Sequence, residues 1–531
     1  MKKLLALLLA AIMLCTMTAF AVAEEDDWLT LRVEAYDRSI AGFNVEDCMQ
    51  LRYAQENFGD PNHIKLVYVP VSRWDEGDVL VQMFAANNAP DLCLTYNGDF
   101  INQAISEGSI WQLDDLLAEY GQGLVNFLGA ETLMPFGQKD FNGDGTPEQW
   151  FIPARRLNVA DVGYFIREDW LKALNMEKPT DVAGLTEFFR AAKAANLGGA
   201  QTVPMHIDLY ESNPLYNISR FIDSFIDFNQ VTEEDWFAAV ELHEMLPGSK
   251  EGYRWLNQLW NEGLLYENFF IDNNDEQDNY LVNGFYGFFT MQPDQPWRTD
   301  KNYEIEMEKA VEGAHWVSVN PFKNESINKY PHSVYAANGL SIIIPKTASE
   351  EVAAAAIKYM DWMAQPENMF FMQNGVEGIN YLNTTEDGIP CDVQSADNVA
   401  DEYKMHAGDI CFISNGLYYG SEELNAKGLA LAFEARFADD IAQSYVDANT
   451  DPWTQNSFTV TINASTDFGA SVKNKQAKFL TDVVTCPADQ FDAVYDAAIA
   501  DTLNAGADKI MEEQREAYKA GNYRGTFPGN K

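Results

Sequence analysis

Basic residues are scarce in this chain: 36 Lys and Arg stand against 81 Asp and Glu over 531 residues, a formal charge of −45. Phosphate backbones repel so negative a surface, which excludes nucleic acid as a partner. Cysteine is sparse, six in all with no Cys-x-x-Cys, and the six histidines are scattered with no His-Glu-x-x-His. Zinc and redox chemistry therefore lack their usual residues. A serine hydrolase lacks its Gly-x-Ser-x-Gly elbow. There is no tandem repeat and no low-complexity linker, and beyond the N-terminus no apolar run approaches the roughly 20 residues of a membrane span.

What is present begins with MKKLLALLLAAIMLCTMTAFAVAEE. Lys2 and Lys3 precede an apolar stretch, and Ala21-Val22-Ala23 offers small residues for cleavage, so residues 1–23 read as a secretory signal peptide. Met13 and Leu14 are too bulky before Cys15 for lipid attachment there, and cleavage after Ala23 is expected. The mature chain is then expected outside the cytoplasm, extracellular or periplasmic. Cleavage removes two lysines and no acid and takes the charge to −47. Five cysteines remain, Cys48, Cys93, Cys391, Cys411 and Cys486, an odd number that leaves at least one without a partner in the chain. Cys391 and Cys411 are the nearest pair, and the sequence does not decide whether they join.

The length calls for two or more lobes. LTLRVEAY (Leu29 to Tyr36) alternates as a strand, a helix is expected over Val45 to Phe58, and IKLVYVPV (Ile64 to Val71) is a second strand. A helix around Val79 to Ala86 and a strand over Asp91 to Tyr96 complete a strand–helix–strand–helix–strand run, the mark of a parallel α/β lobe. After residue 150 a second α/β lobe begins. Thr180 or Asp181 can cap a helix whose Val182, Leu185, Phe188, Phe189 and Ala192 share one face. Asn283 to Gln292 and Ser341 to Lys346 read as strands, the latter followed by a long helix from Glu350. Two helices, FDAVYDAAIADTLN and DKIMEEQREAYKA, close the chain.

Several pieces, in this order and spacing, resemble the extracellular solute-binding proteins of ABC importers, in the sugar- and oligosaccharide-binding group. They are the signal peptide, Pro90-Asp91-Leu92, Arg167-Glu168-Asp169-Trp170-Leu171 with Lys178-Pro179-Thr180, Asp361-Trp362-Met363 to Pro366-Glu367, Gly375 to Tyr381, and the final AGADKIMEEQREAY. The resemblance spans essentially the whole mature chain. It implies an α/β, two-lobed, periplasmic-binding-protein-like (type II) fold with a hinge and an interlobe cleft. It puts crossings at Gln149 to Pro153, between Trp316 and Tyr335, and at Gly375 to Tyr381. Lobe one would hold 28–148 plus about 330–375, and lobe two about 149–329 plus 376–531. It further implies a monomer that captures a carbohydrate, expected to be an oligosaccharide, by hinge closure and docks on the importer's transmembrane subunits.

A sugar presents hydroxyls at its rim and C–H patches on its faces, so binding it calls for aromatic platforms and planar hydrogen-bonding groups. Candidates at strand ends and crossings are Tyr36, Tyr96, Asn97, Asp99, Trp150, Trp297, Trp316 and Tyr335. Each competes with an ordinary role, since a Trp or Tyr in a large protein is more often core. Arg73-Trp74 is a weaker candidate, and Arg167 is expected to pair with Glu168 or Asp169 or to cap a carbonyl. The rival function is a secreted carbohydrate-active enzyme, a glycoside hydrolase or lyase, which would need a carboxylate pair that 81 acids make too easy to imagine.

The stretch DFNGDGTPEQW (Asp140 to Trp150) sets Asp140, Asn142 and Asp144 at the first, third and fifth places of a calcium loop. Gly145 takes the sixth, the Thr146 carbonyl the seventh and Glu148 the ninth. Phe151 occupies the twelfth, where a bidentate Glu would close the shell, and the flanks read as extended rather than as two helices. A structural calcium, not a sensor, is expected here; the plain alternative is an Asx-rich turn.

Overall fold

The structure is a computed structural model that describes residues 28–141, 143–207, 215–271, 274–298, 303–395 and 398–529. The expected signal peptide, with Cys15, lies outside these residues, as does Asn142. The chain opens with β1 (Leu29–Asp37), β2 (Ile64–Ser72), α1 (Glu76–Ala85), β3 (Cys93–Thr95) and α2 (Gly98–Ser106). β4 (Ile152–Arg156) and β5 (Gly163–Arg167) follow, then α3 (Val182–Ala195), β6 (Phe288–Met291) and β7 (Trp316–Ser318). β8 (Asn338–Ile343) leads into α4 (Glu350–Met363) and α5 (Pro366–Asn374), and β9 (Ser414–Asn415) comes next. The C-terminal part holds α6 (Asn463–Thr485), α7 (Phe491–Thr502) and α8 (Asp508–Lys519).

In the first lobe β1 pairs in parallel with β2, and Val33 bridges in parallel to Leu92 just before β3. The four-stranded order β9-β4-β8-β3 continues the layer, with β8 antiparallel to both β4 and β3. One strand from far along the chain thus runs against its neighbours. Alternation along β1 and β2 sends Leu31, Val33, Leu66 and Tyr68 into a core shared with Ile342 of β8, with Ile344 just after it, and with Ile357, Tyr359 and Met360 of α4. The long helix expected from Glu350 is two helices. Pro366 has no amide hydrogen to donate, and it opens α5 at the first-turn position that tolerates it.

The second lobe is centred on β5, antiparallel to β6 on one side and β7 on the other. Asp181 caps α3 by accepting the Gly184 amide at 2.7 Å, and Leu185, Phe188, Phe189 and Ala192 are buried. Arg167 meets both expectations: Nε and Nη2 donate to Asp169 at 2.7 and 2.6 Å, and Nη1 donates to the Gly284 carbonyl at 2.8 Å. α6, a 23-residue helix that the sequence reading passed over, buries Phe479, Leu480, Val483 and Val484 in this second core. Between α7 and α8 the backbone turns at Gly506, φ +117°, where a Cβ would come within 2.5 Å of the Phe468 ring.

The first core ends at Ala154 and the second begins at Val162. Gln149 to Pro153, where the first crossing is expected, runs into β4, whose Ile152 and Pro153 pair with β8 of the first sheet. Beyond Gly375 to Tyr381 the chain still adds Ile410, Cys411, Phe412 and Ile413 to the first core before β9. The five described cysteines are free thiols, and burial pushes Cys411 up to about 12. Among the described residues no helix is long and apolar enough to cross a membrane.

Candidate functional site

The C-terminal ends of β1 and β3, where ligands sit in open α/β sheets, gather four of the expected residues. Tyr36, on β1, is 1% exposed, and its hydroxyl has no hydrogen-bond partner among the described residues. Tyr96, just past β3, is 40% exposed. Between them lies Arg73, its guanidinium 5.1 Å from the Tyr36 ring, 4.7 Å from Tyr96 and 5.9 Å from Trp74. Trp74 is 75% exposed. Asn97 and Asp99 are exposed beside them. Asn97 also has a structural role, because its side chain caps α2 by accepting the Phe100 amide at 3.0 Å.

Two buried acids support this corner. Glu34 accepts the Leu94 amide at 2.9 Å, and Glu76, at the start of α1, accepts the Tyr96 amide at 3.1 Å. Each leaves its second carboxylate oxygen without a partner. Burial pushes the Glu34 carboxyl up to about 8, partly opposed by the Leu94 amide. No signal in the sequence marks Glu34: it falls on the polar phase of the strand with Thr30 and Arg32, and only the fold buries it.

Tyr335 belongs to a second group, on the other side of the chain crossing. The Arg156 guanidinium lies 4.3 Å from its ring, and Tyr216 donates to its hydroxyl at 3.3 Å. Tyr216 also reaches Asp161, which further accepts from Ser333 at 2.7 Å and Gln455 at 2.7 Å. Arg220 completes the set through a bidentate pair with Asp161. Asp161, Tyr216, Arg220, Ser333 and Gln455, though neither Tyr335 nor Arg156, line a cavity of about 140 Å³ that extends to Asn456 and His243. Burial opposes the charged His243 ring, but the Asp223 carboxylate at 2.7 Å holds its pKa above the ordinary value. Sequence reasoning missed Asp161, Tyr216, Arg220, Ser333 and Gln455, because they come from separate segments.

The three expected tryptophans are placed elsewhere. Trp297 is 2% and Trp316 0% exposed, inside one core cluster of the second lobe with Phe165 and Phe289. They meet these rings edge-on, Trp297 on Phe165 at 5.6 Å and Trp316 on Phe289 at 4.6 Å. Trp150 is half-buried against the Leu80–Phe100 cluster and Phe141.

The acidic loop is the tip of a short hairpin, Gln138–Lys139 against Glu148–Gln149. Asp140 folds it by accepting the amides of Gly143 at 2.8 Å and Gly145 at 2.9 Å, and Asp144 accepts that of Thr146 at 2.8 Å. Calcium takes six to eight oxygen ligands. Asp140, Asp144, Glu148 and the Thr146 carbonyl are oxygen donors of the right chemistry. Among the described residues, however, no three acidic, histidine or cysteine side chains are gathered to hold a metal ion. The root of the hairpin is tied to the C-terminal segment: Lys139 donates to the Thr459 carbonyl at 2.9 Å, and Arg524 to Pro135 and Phe136 at 3.2 Å each.

No protein-family model matches the sequence, and no curated protein matches it either. Solved structures do. The alginate-binding protein AlgQ2 without calcium ion is 16% identical, with 94% of this chain and 99% of that one covered at a TM-score of 0.57. The S. pneumoniae ABC-transporter substrate binding protein FusA, an EF-hand mutant in complex with fructo-nystose, is 14% identical, with 93% and 99% covered at 0.63. The HMO-binding, ABC-transporter-associated solute binding protein from Bifidobacterium longum infantis ATCC 15697 is 14% identical, with 94% and 100% covered at 0.64. Such coverage carries the architecture over nearly the whole chain: it has the two-lobed α/β fold of the solute-binding proteins.

Proposed function

We propose that the protein is the extracellular or periplasmic substrate-binding subunit of an ABC importer and captures an oligosaccharide by closing its lobes. The observation that carries this is the corner at the ends of β1 and β3, where exposed Trp74 and Tyr96 flank Arg73 over the buried Tyr36. Aromatic faces beside planar hydrogen-bonding groups suit a sugar ring. The glycan ligands named for FusA and for the Bifidobacterium protein support the same reading. In it, one lobe is built on the core from Leu31 to Ala154 and Leu340 to Ile413, the other on that from Val162 onward. Tyr36, Tyr96, Asn97 and Asp99 serve the first and Tyr335 the second. Ligand touching both lobes favours the closed state, which docks on the transmembrane subunits. The working form is a monomer, exported by residues 1–23, that binds without turnover.

For the acidic loop the reading is a structural calcium on Asp140, Asn142, Asp144, Thr146 and Glu148, supported by the donor spacing, by the calcium ion named for AlgQ2 and by the EF-hand named for FusA. It stiffens the hairpin whose root meets the C-terminal segment. Calorimetry of the mature chain against a glycan panel, with product analysis, tests the main reading. Stoichiometric binding with intact glycan is expected. Binding to no glycan, or release of shortened products, would overturn it.

A further inference from the structure

Arg73 is the anomaly of the corner described above. The chain holds 36 basic residues against 81 acids, so a basic side chain has carboxylates in excess to pair with. Its neighbour Arg38 does so, donating to Asp409 at 2.5 and 3.0 Å. The Arg73 side chain makes no ion pair and no hydrogen bond among the described residues. It is half-buried and held by three aromatic rings instead. Stacking orients a guanidinium and leaves its in-plane N–H groups open to solvent, where a ligand can take them.

The surroundings tell the same way. The Arg38 guanidinium lies 5.6 Å from the Trp74 ring, so two cations flank the most exposed large aromatic of the corner. Arg298, which follows β6 in the second lobe, is near enough to disfavour the charge on Arg38. Arg298 is itself paired with Asp294 at 2.8 Å and Arg38 with Asp409, which leaves Arg73 as the corner's guanidinium without a carboxylate among the described residues. Beneath it the Tyr36 hydroxyl is buried and, among the described residues, unpartnered. Glu34 is uncharged at neutral pH, and its free oxygen there is a weak repellent. Glu76, with one oxygen on the Tyr96 amide, is the remaining buried carboxylate of the corner.

Resting on the carbohydrate reading above, we infer that this end of the cleft takes the anionic group of an acidic saccharide, a carboxylate or a sulfate, on Arg73, with the sugar ring against Trp74 and Tyr96. Guanidinium–carboxylate geometry is bidentate and charge-assisted, so the anion supplies the acceptors that Arg73 lacks.

The test is calorimetry of the mature chain with three probes: a galacturonic acid trisaccharide, a carrageenan-type sulfated galactose disaccharide that has no carboxylate, and neutral maltotriose. An acidic probe is expected to bind at least about tenfold tighter than maltotriose, and Arg73→Gln to remove most of that preference. Which acidic probe binds tells carboxylate from sulfate. Maltotriose bound as tightly as both acidic probes would overturn the inference and leave the carbohydrate reading standing. Binding to no saccharide would overturn both. If Arg73→Gln does not fold, the unaltered chain decides: raising salt from about 0.1 to about 1 M shortens the screening length from about 10 to about 3 Å. Acidic-probe affinity that falls with salt while maltotriose affinity does not is the expected result; equal response of both would overturn the inference.

Discussion

Arg220 and Asp161 form a bidentate ion pair, Nε to Oδ2 at 2.7 Å and Nη2 to Oδ1 at 2.5 Å, with both side chains shut off from solvent. Asp161 lies where the chain enters the second lobe and Arg220 on a helix about sixty residues later. Ser333 and Gln455 donate to the same carboxylate. One buried charge therefore pins four segments of chain next to the crossing.

Removing one partner leaves the other buried and uncompensated. Asp161→Ala is expected to destabilise the chain by about 3–5 kcal/mol. Replacing Asp161 and Arg220 together with apolar residues of similar size is expected to cost clearly less. Denaturant unfolding of the single and double variants checks this; a double variant as unstable as the single one would contradict it.

Glu34 sets a pH dependence. Its folded-state pKa of about 8 exceeds the ordinary 4.5. The folded state therefore holds a proton that the unfolded state has released between those values. Its contribution to stability is full below pH 4.5 and is lost as pH rises toward 8. Glu34→Gln cannot lose that proton. The difference in melting temperature between variant and unaltered chain is expected to shift in the variant's favour from about pH 5 to about pH 8. A constant difference across that range would refute the assignment.

The tryptophans divide by exposure. Trp74 is 75% exposed and Trp316 is fully buried. Trp74→Ala is expected to weaken glycan binding by about tenfold or more while leaving the melting temperature within a degree or two, since it empties no core. Trp316→Ala is expected to cost about 3–5 kcal/mol of stability. Calorimetry and thermal melting on the same two proteins read both effects.

If calcium occupies the acidic loop, a chelator lowers the melting temperature by mass action, and excess calcium restores it. Asp140→Ala is expected to abolish that dependence, because Asp140 both offers oxygens to the metal and folds the loop through Gly143 and Gly145. A melting curve unchanged by chelator would leave the plain Asx turn.

Local features were legible in the sequence because their causes are local. Asp181 caps α3 and Leu185, Phe188, Phe189 and Ala192 share its buried face, as spacing alone implies. The alternation of β1 and β2 put Leu31, Val33, Leu66 and Tyr68 inward. α6 carried a comparable signal in Phe479, Leu480, Val483 and Val484, preceded by a polar half that hides it.

The site was only half legible. Position after a strand marked Tyr36 and Tyr96 as residues of the strand-end corner, yet the same cue led to Trp297, which the second lobe buries beside Phe165. Asn97 looked like a ligand group and is at least a helix cap. Arg73-Trp74 was marked only as a weaker candidate, and Glu34 and Asp161 carry no local mark, because a charge becomes unusual only once its surroundings are known.

Taken alone, then, the sequence determined the α/β lobes, the acidic composition and the oxygen-rich loop, all of which depend on composition or on neighbours within a few residues. Tertiary structure decided which aromatics are open and which are core, and where Arg73 is left without an acid. It also decided that Ile410 to Ile413 return to the first core. Burial and pairing are set by segments far apart along the chain, and no window of sequence contains both sides of such a contact.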